Sequence, residues 1–177
     1  DGRLYGGGSG VCSEIGHLRP GLDCEQPQRT VESVASGWAI ADAVRPQVDR
    51  AAHGARFDDS SAGDLLRRCA GYPERLSTQM VAEAAVAGNV LARMAFDKAC
   101  RAYGWAVAQA ITLVAPQVVV VGGGVSLVGE DLWFAPLRRY VDQYVFPPLR
   151  GSFSIAPAQL GEEVVVHGVL ALARDGL

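Results

Sequence analysis

The sequence predicts an α/β layered domain, and three observations predict it. Four consecutive valines, Val118 to Val121, stand between Pro116-Gln117 and Gly122-Gly123-Gly124. Such a run reads as a strand buried on both faces, hence central and parallel. Elsewhere, apolar residues recur at three- and four-residue spacing over long stretches, the period of a helix. The order along the chain is then β-turn-β, several helices, and β-α-β-α. With 177 residues, 49 % hydrophobic and 20 % charged, the chain is long and apolar enough for one domain with a real core.

Residues 1–16 hold six glycines with Leu4, Tyr5, Val11 and Ile15 between them, a pattern of short strands joined by tight turns. Pro20-Gly21 marks a further turn. Val31, Val34, Ala35, Trp38, Ala41 and Val44 predict one helix from Val31 to about Val48, with Thr30 as its N-cap. Residues 51–72 read as a loop or insertion around one short helix, Asp64–Cys69. Two helices follow, Ser77–Ala87 and Asn89–Val114. Arg93, Asp97 and Arg101 form a polar i, i+4 face on the second, and its half after Tyr103 should be buried all round. A helix over Glu130–Tyr144 has acids in its first turn, Arg138 and Arg139 towards its end, and Pro147-Pro148 to stop it. Ser152–Pro157 is a short strand and Glu162–Arg174 a last helix.

The balance of 16 basic and 19 acidic residues gives a net charge of −3, which argues against a nucleic-acid or anionic-lipid coat. No run approaches 18 apolar residues, so no membrane span is expected. The first residues do not read as a signal peptide. Cys12, Cys24, Cys69 and Cys100 form no CxxC pair and are too sparse for a disulfide scaffold, so free thiols in a reducing cytoplasm are expected. Fifteen arginines against the single Lys98 suit phosphate chelation or reflect genomic base composition.

Gly122-Gly123-Gly124, directly after the valine strand, removes every Cβ where an α/β protein lets a flat ring or phosphate approach the main chain. The bland alternative is a tight turn without a ligand. No Walker motif and no G-x-G-x-x-G is present. Glu14 and His17 lie three apart around Gly16, which can bend the chain to bring them together, and Glu32 can complete a polar cluster suited to sugar hydroxyls. Here the alternative is a polar pair facing water. Zinc lacks ligands, since Cys24 is the only thiol between His17 and Glu32. His53 reads as a solvent residue, and His167 as half-buried among Val164, Val165, Val166 and Val169.

With these residues assembled, the chain resembles the carboxy-terminal part of the ROK family of repressors, uncharacterised reading frames and sugar kinases. The family's G-E-I-G-H stands as Ser13-Glu14-Ile15-Gly16-His17, and its C-L-E-x-x-x-S-G as Thr30-Val31-Glu32-Ser33-Val34-Ala35-Ser36-Gly37. Its N-P-x-x-I-V-L-G-G-G stands as Ala115-Pro116-Gln117-Val118-Val119-Val120-Val121-Gly122-Gly123-Gly124. Ala135-Pro136-Leu137-Arg138 and Phe146-Pro147-Pro148-Leu149 are similar too. The match covers roughly residues 1–50 and 74–173.

The resemblance implies an actin-like, hexokinase-like (ribonuclease H-like) ATPase lobe, with residues 1–177 as a single carboxy-terminal lobe and the amino-terminal lobe absent. It implies sugar-hydroxyl contacts by Glu14, His17 and Glu32, and an adenosine-binding loop of Gly122, Gly123 and Gly124 running into Val125. The family's zinc motif C-x-C-G-x-x-G-C is missing. Cys24 to Thr30 occupy that stretch, Thr30 replaces its last cysteine, and no zinc is expected. Ser13 replaces a glycine. The family's phosphate loops and its catalytic Asp precede the part matched, so no catalytic residue is assigned in this chain. Gly6-Gly7-Gly8-Ser9-Gly10 lacks the following helix that would make it a substitute phosphate cradle.

The expected function is the carboxy-terminal part of an ATP-dependent hexose kinase, glucokinase-like and cytoplasmic, inactive as the isolated chain. Its partners are a hexose and ATP with Mg²⁺ shared with the missing lobe; no nucleic acid or membrane is expected, and a homodimer is allowed for. Two rivals remain: a sugar-sensing module of a ROK-type repressor, and an assembly piece with no ligand.

Overall fold

The structure is a computed structural model that describes residues 5, 8, 12–21, 25–54 and 60–174. Seven α-helices and two strands are described, besides short 3-10 and π turns: α1 (Glu32–Ala35), α2 (Gly37–His53), α3 (Ser61–Arg68), α4 (Thr78–Val86), α5 (Val90–Val114), β1 (Val118–Val121), α6 (Ala135–Tyr144), β2 (Ser154–Pro157) and α7 (Val164–Arg174). The strands expected within residues 1–16 fall almost wholly outside the described residues; Ser13 and Glu14 are irregular chain.

α5 is the axis of the domain, touching α1, α2, α3, α4 and α6. Its Phe96, Cys100 and Ile111 are fully buried, with Ile40, Val44, Leu65, Val81 and Leu137 supplied by the helices around it. α6 comes closest at Gly104, where an added Cβ would lie 2.7 Å from the Tyr140 Cβ and 3.4 Å from the Leu137 carbonyl oxygen. A glycine is what lets these two helices touch backbone to backbone.

Side-chain caps set most helix starts. Ser60, Ser77 and Asn89 accept from the backbone N–H three residues on. Thr30 and Ser33 cap reciprocally, Thr30 Oγ1 accepting from Ser33 N–H and Ser33 Oγ from Thr30 N–H. The single helix expected over 31–48 is instead two. Ser36 turns extended (φ −68°, ψ 159°) and its hydroxyl accepts from Ala39 N–H, so it caps a new helix. A serine followed by a glycine favours a cap over helix interior, and that local preference overrides the apolar period. Trp38, counted on the apolar face, is exposed as a result.

The short helix expected within 51–72 is present as Ser61–Arg68, starting three residues earlier than Asp64, and its buried Leu65 and Leu66 close over α2. The expectation for the end of α5 is corrected. The end of α5 is not enclosed: Leu113 and Val114 are exposed beyond the last turn that α6 covers. The polar face expected on α5 is present, with Arg93, Asp97 and Arg101 all exposed, and it pairs with neighbouring helices: Asp97 accepts from Arg139 (2.9 Å) and Tyr140 (2.8 Å), and Arg93 donates to the Ala85 carbonyl. Those partners on α6 and α4 lie nearer than the i, i+4 neighbours.

β1 and β2 pair in parallel, Val118 opposite Ser154 and Val121 opposite Pro157, with α6 in the crossover between them. The expected parallel pairing holds, but burial on both faces does not. Val121 and Ile155 are buried, whereas Val118 and Val120 are exposed, because the helices among the described residues cover one face alone. No described residue of α7 is buried either, and His167 is exposed beside Glu163 (3.7 Å) rather than half-buried. His53 is exposed, as expected, with Nδ1 2.7 Å from the Asp49 carbonyl. Among the described residues, no helix is long and apolar enough to cross a membrane. Cys12, Cys69 and Cys100 are free thiols; Cys24 lies outside the described residues.

Candidate functional site

The three loop glycines each answer a different demand. Gly122 follows β1 where an added Cβ would come within 3.1 Å of the Ala158 Cβ. Gly123 has φ +90°, a backbone that side chains rarely adopt. Gly124 has open space where its Cβ would be and faces a cavity. Behind the loop, the Ser126 hydroxyl and amide both donate to the Gly123 carbonyl (2.7 and 3.0 Å), so the turn is braced from its buried side.

The cavity has a volume of about 750 Å³, within the range of small-molecule sites. Gly124, Val125, Leu127 and Val128 form one wall. The opposite wall is the outer face of α4, with Ala82 and Val86 as apolar floor and Thr78, Gln79 and Glu83 as polar groups. Gly37, at the start of α2, closes the end: a Cβ there would meet Thr78 Oγ1 at 3.6 Å and Val125 Cγ2 at 3.8 Å. The break at Ser36 thus delivers Gly37 to the cavity. Sequence reading named Gly124 and Val125 but missed the α4 wall. Gln79 and Glu83, four apart on one helix face, were the only signal, and nothing in the sequence says which α4 face meets the loop.

The other candidate residues sit apart from this cavity's lining. Glu14, His17 and Glu32 are all exposed. The short 3-10 turn Ile15–His17 follows Glu14, and a Cβ on Gly16 would lie 3.6 Å from the Glu32 Cβ. The Val31 amide donates to the Leu18 carbonyl (2.8 Å), tying the turn to the start of α1. Glu32 is therefore seated against the turn that bears Glu14 and His17. Ser13 stands at φ +61°, a left-handed backbone that glycine adopts more readily than serine. Among the described residues, no three or more His, Cys, Asp or Glu gather as a metal site.

The ROK family profile matches residues 1–176. The chain is 31 % identical to a glucokinase of Thermotoga maritima, over 98 % of this chain and 53 % of that one. It is 23 % identical to a xylose repressor of Caldicellulosiruptor bescii, over 97 % of this chain and 41 % of the other. A ROK family glucokinase from Streptomyces griseus, solved with glucose and AMPPNP, superposes with a TM-score of 0.76 at 29 % identity, covering 94 % of this chain and 52 % of that one. The α/β, actin-like fold follows from that likeness. The chain spans about half the length of the glucokinases it matches. It belongs to the ROK family.

Proposed function

We propose that this chain is the sugar- and nucleotide-binding half of an ATP-dependent hexose kinase of the glucokinase type. The observation that carries the proposal is the cavity between the Gly124–Val128 segment and α4. The bare backbone of Gly124 and the side chains of Val125, Leu127 and Val128 face Ala82 and Val86 of α4 there, an apolar slot edged by Thr78, Gln79 and Glu83 that suits a flat base. Gly122, Gly123, Gly124 and Val125 hold the adenosine end of ATP in this reading. Glu14, His17 and Glu32 receive the sugar, sharing hydroxyl protons with it. The likeness to glucokinases, one of them solved with glucose and an ATP analogue, supports the assignment.

Phosphoryl transfer needs a base beside the attacking hydroxyl and a cradle for the triphosphate. Neither is assigned to this chain. The isolated chain therefore binds without catalysing. In a cytoplasmic kinase the complementary half supplies the base, the phosphate loops and closure over the substrate.

The test is a coupled ADP-release assay with glucose, mannose, fructose and N-acetylmannosamine. It is run on the 177-residue chain and on that chain joined to the upstream half of a related glucokinase. Turnover in the joined protein alone supports the proposal; turnover by the chain alone shows that the base has been misplaced. In the joined protein, Glu32→Gln should weaken hexose binding roughly tenfold, the loss of about one charged hydrogen bond. A second reading, a sugar sensor that does not phosphorylate, rests on the likeness to the xylose repressor. Sugar binding without turnover in the joined protein would select it.

A further inference from the structure

The α4 wall of the cavity bears three polar side chains, and their hydrogen-bonding capacity is unevenly used. Thr78 has one donor, its hydroxyl, and gives it to the Gly37 carbonyl. Gln79 Nε2 donates to Glu83 Oε1 (3.0 Å). That contact fixes the amide's orientation, because the flipped amide would set its carbonyl against a carboxylate. Glu83 accepts only, and no Lys, Arg or His lies within ion-pair distance of it among the described residues. What remains on this wall is the lone pairs of Thr78 Oγ1, Gln79 Oε1 and the Glu83 carboxylate, against one unused N–H of Gln79. The polar part of the wall is a surplus of acceptors beside the apolar surface of Ala82 and Val86.

An apolar slot with an acceptor edge suits a flat ring that carries an amino group. We infer that Glu83, held in place by Gln79, reads the exocyclic amine of the base and makes the site selective for adenine over 6-oxopurines. Adenine offers two N–H donors at C6. Hypoxanthine places a carbonyl oxygen there, which faces the same carboxylate unpaired and repelled, and carries its N–H at N1, one ring position away from the amine's place. A site built to receive a substrate N–H rejects the analogue lacking it far better than a purely apolar pocket can. The inference rests on the reading of this cavity as the nucleotide site. It adds which residues choose the base and by what chemistry. Glu83 is a specificity residue, and Gln79 positions it.

Equilibrium titration of the 177-residue chain with ATP and with ITP, which differ at C6 (amino against oxo) and at N1 (bare against protonated), is the direct test. The expected result is ATP bound at least about tenfold more tightly than ITP. Glu83→Ala should bring the two within about threefold, chiefly by weakening ATP. Glu83→Gln should do the same while strengthening ITP, since its amide can donate to the 6-oxo group. Gln79→Ala should reduce the preference without abolishing it. Glu83 is exposed, so these variants should fold, and unchanged circular dichroism and melting temperature identify those that do. Equal binding of ATP and ITP by the unmodified chain overturns the amine assignment and leaves the nucleotide site standing. A preference that survives in Glu83→Ala also overturns it. Binding of neither nucleotide removes the nucleotide reading itself, and this inference with it.

Discussion

The Thr78 hydroxyl donates to the main-chain carbonyl of Gly37, joining the first turn of α4 to the first turn of α2 across 41 residues of sequence. Each residue lines the cavity opposite the glycine loop. One hydrogen bond therefore fixes the spacing of two of the cavity's walls. Replacing Thr78 with valine keeps the shape but removes this bond, at about 0.5–1.5 kcal/mol, while the Gly37 carbonyl keeps its place in the α2 ladder. Urea denaturation should show that loss for Thr78→Val and near-complete recovery for Thr78→Ser. Equal stability of all three proteins would show that the bond contributes nothing.

Asn89 is a second junction. Its Oδ1 caps α5 at Ala92 N–H (3.0 Å), and its Nδ2 donates to the Ser61 carbonyl and to Asp64 Oδ2 (both 2.8 Å). Burial pushes the Asp64 carboxyl up, but the Asn89 amide and Arg68 outweigh it and hold the group below its usual range. Asn89→Ala removes a cap and two tertiary bonds from a buried site, so a loss of about 2–3 kcal/mol is expected. Calorimetric melting reads this out. A loss below about 0.5 kcal/mol would place Asn89 with ordinary surface polar residues.

Gly104 separates α5 from α6 by less than a methyl group. Alanine gains about 1 kcal/mol in helix propensity, yet its Cβ meets the Tyr140 Cβ at 2.7 Å and α6 backbone at 3.4 Å. Overpacking of this kind costs about 1–3 kcal/mol and here exceeds the gain. Gly104→Ala should melt lower than the parent chain, although the same change on an exposed helix would raise the melting point. A higher melting point would mean that α6 shifts freely.

Stability should fall on the alkaline side. Burial pushes the Cys100 thiol up to about 12 from 9.0, with Asp97 adding to the shift. The unfolded thiol ionises near 9 while the folded one keeps its proton. The contribution is thus complete below about pH 9 and is lost as the pH rises towards 12. Burial shifts Cys69 and Tyr103 in the same direction. Denaturation at pH 8 and pH 10.5 should show a smaller alkaline loss in Cys100→Ala than in the parent. Identical slopes would exclude this thiol as a source of the effect.

By itself the sequence determined the elements whose cause is local. The helices read from Ser77 and from Asn89 do begin there, each residue proving to be a cap whose short polar side chain accepts from a nearby amide, and the valine run between proline and glycines is a strand. The glycine turn was legible for the same reason, but not what each glycine answers: a close contact at Gly122, a positive φ at Gly123 and open space at Gly124. Tertiary structure decided what depends on a partner far along the chain. It chose Arg139 and Tyr140 for Asp97, opened one face of β1, and turned Thr78, Gln79 and Glu83 towards the loop. A helix period gives the faces of a helix but not the neighbour each one meets. That choice is made by packing around α5, where the Gly104 contact and the Thr78–Gly37 bond fix the positions of the surrounding helices.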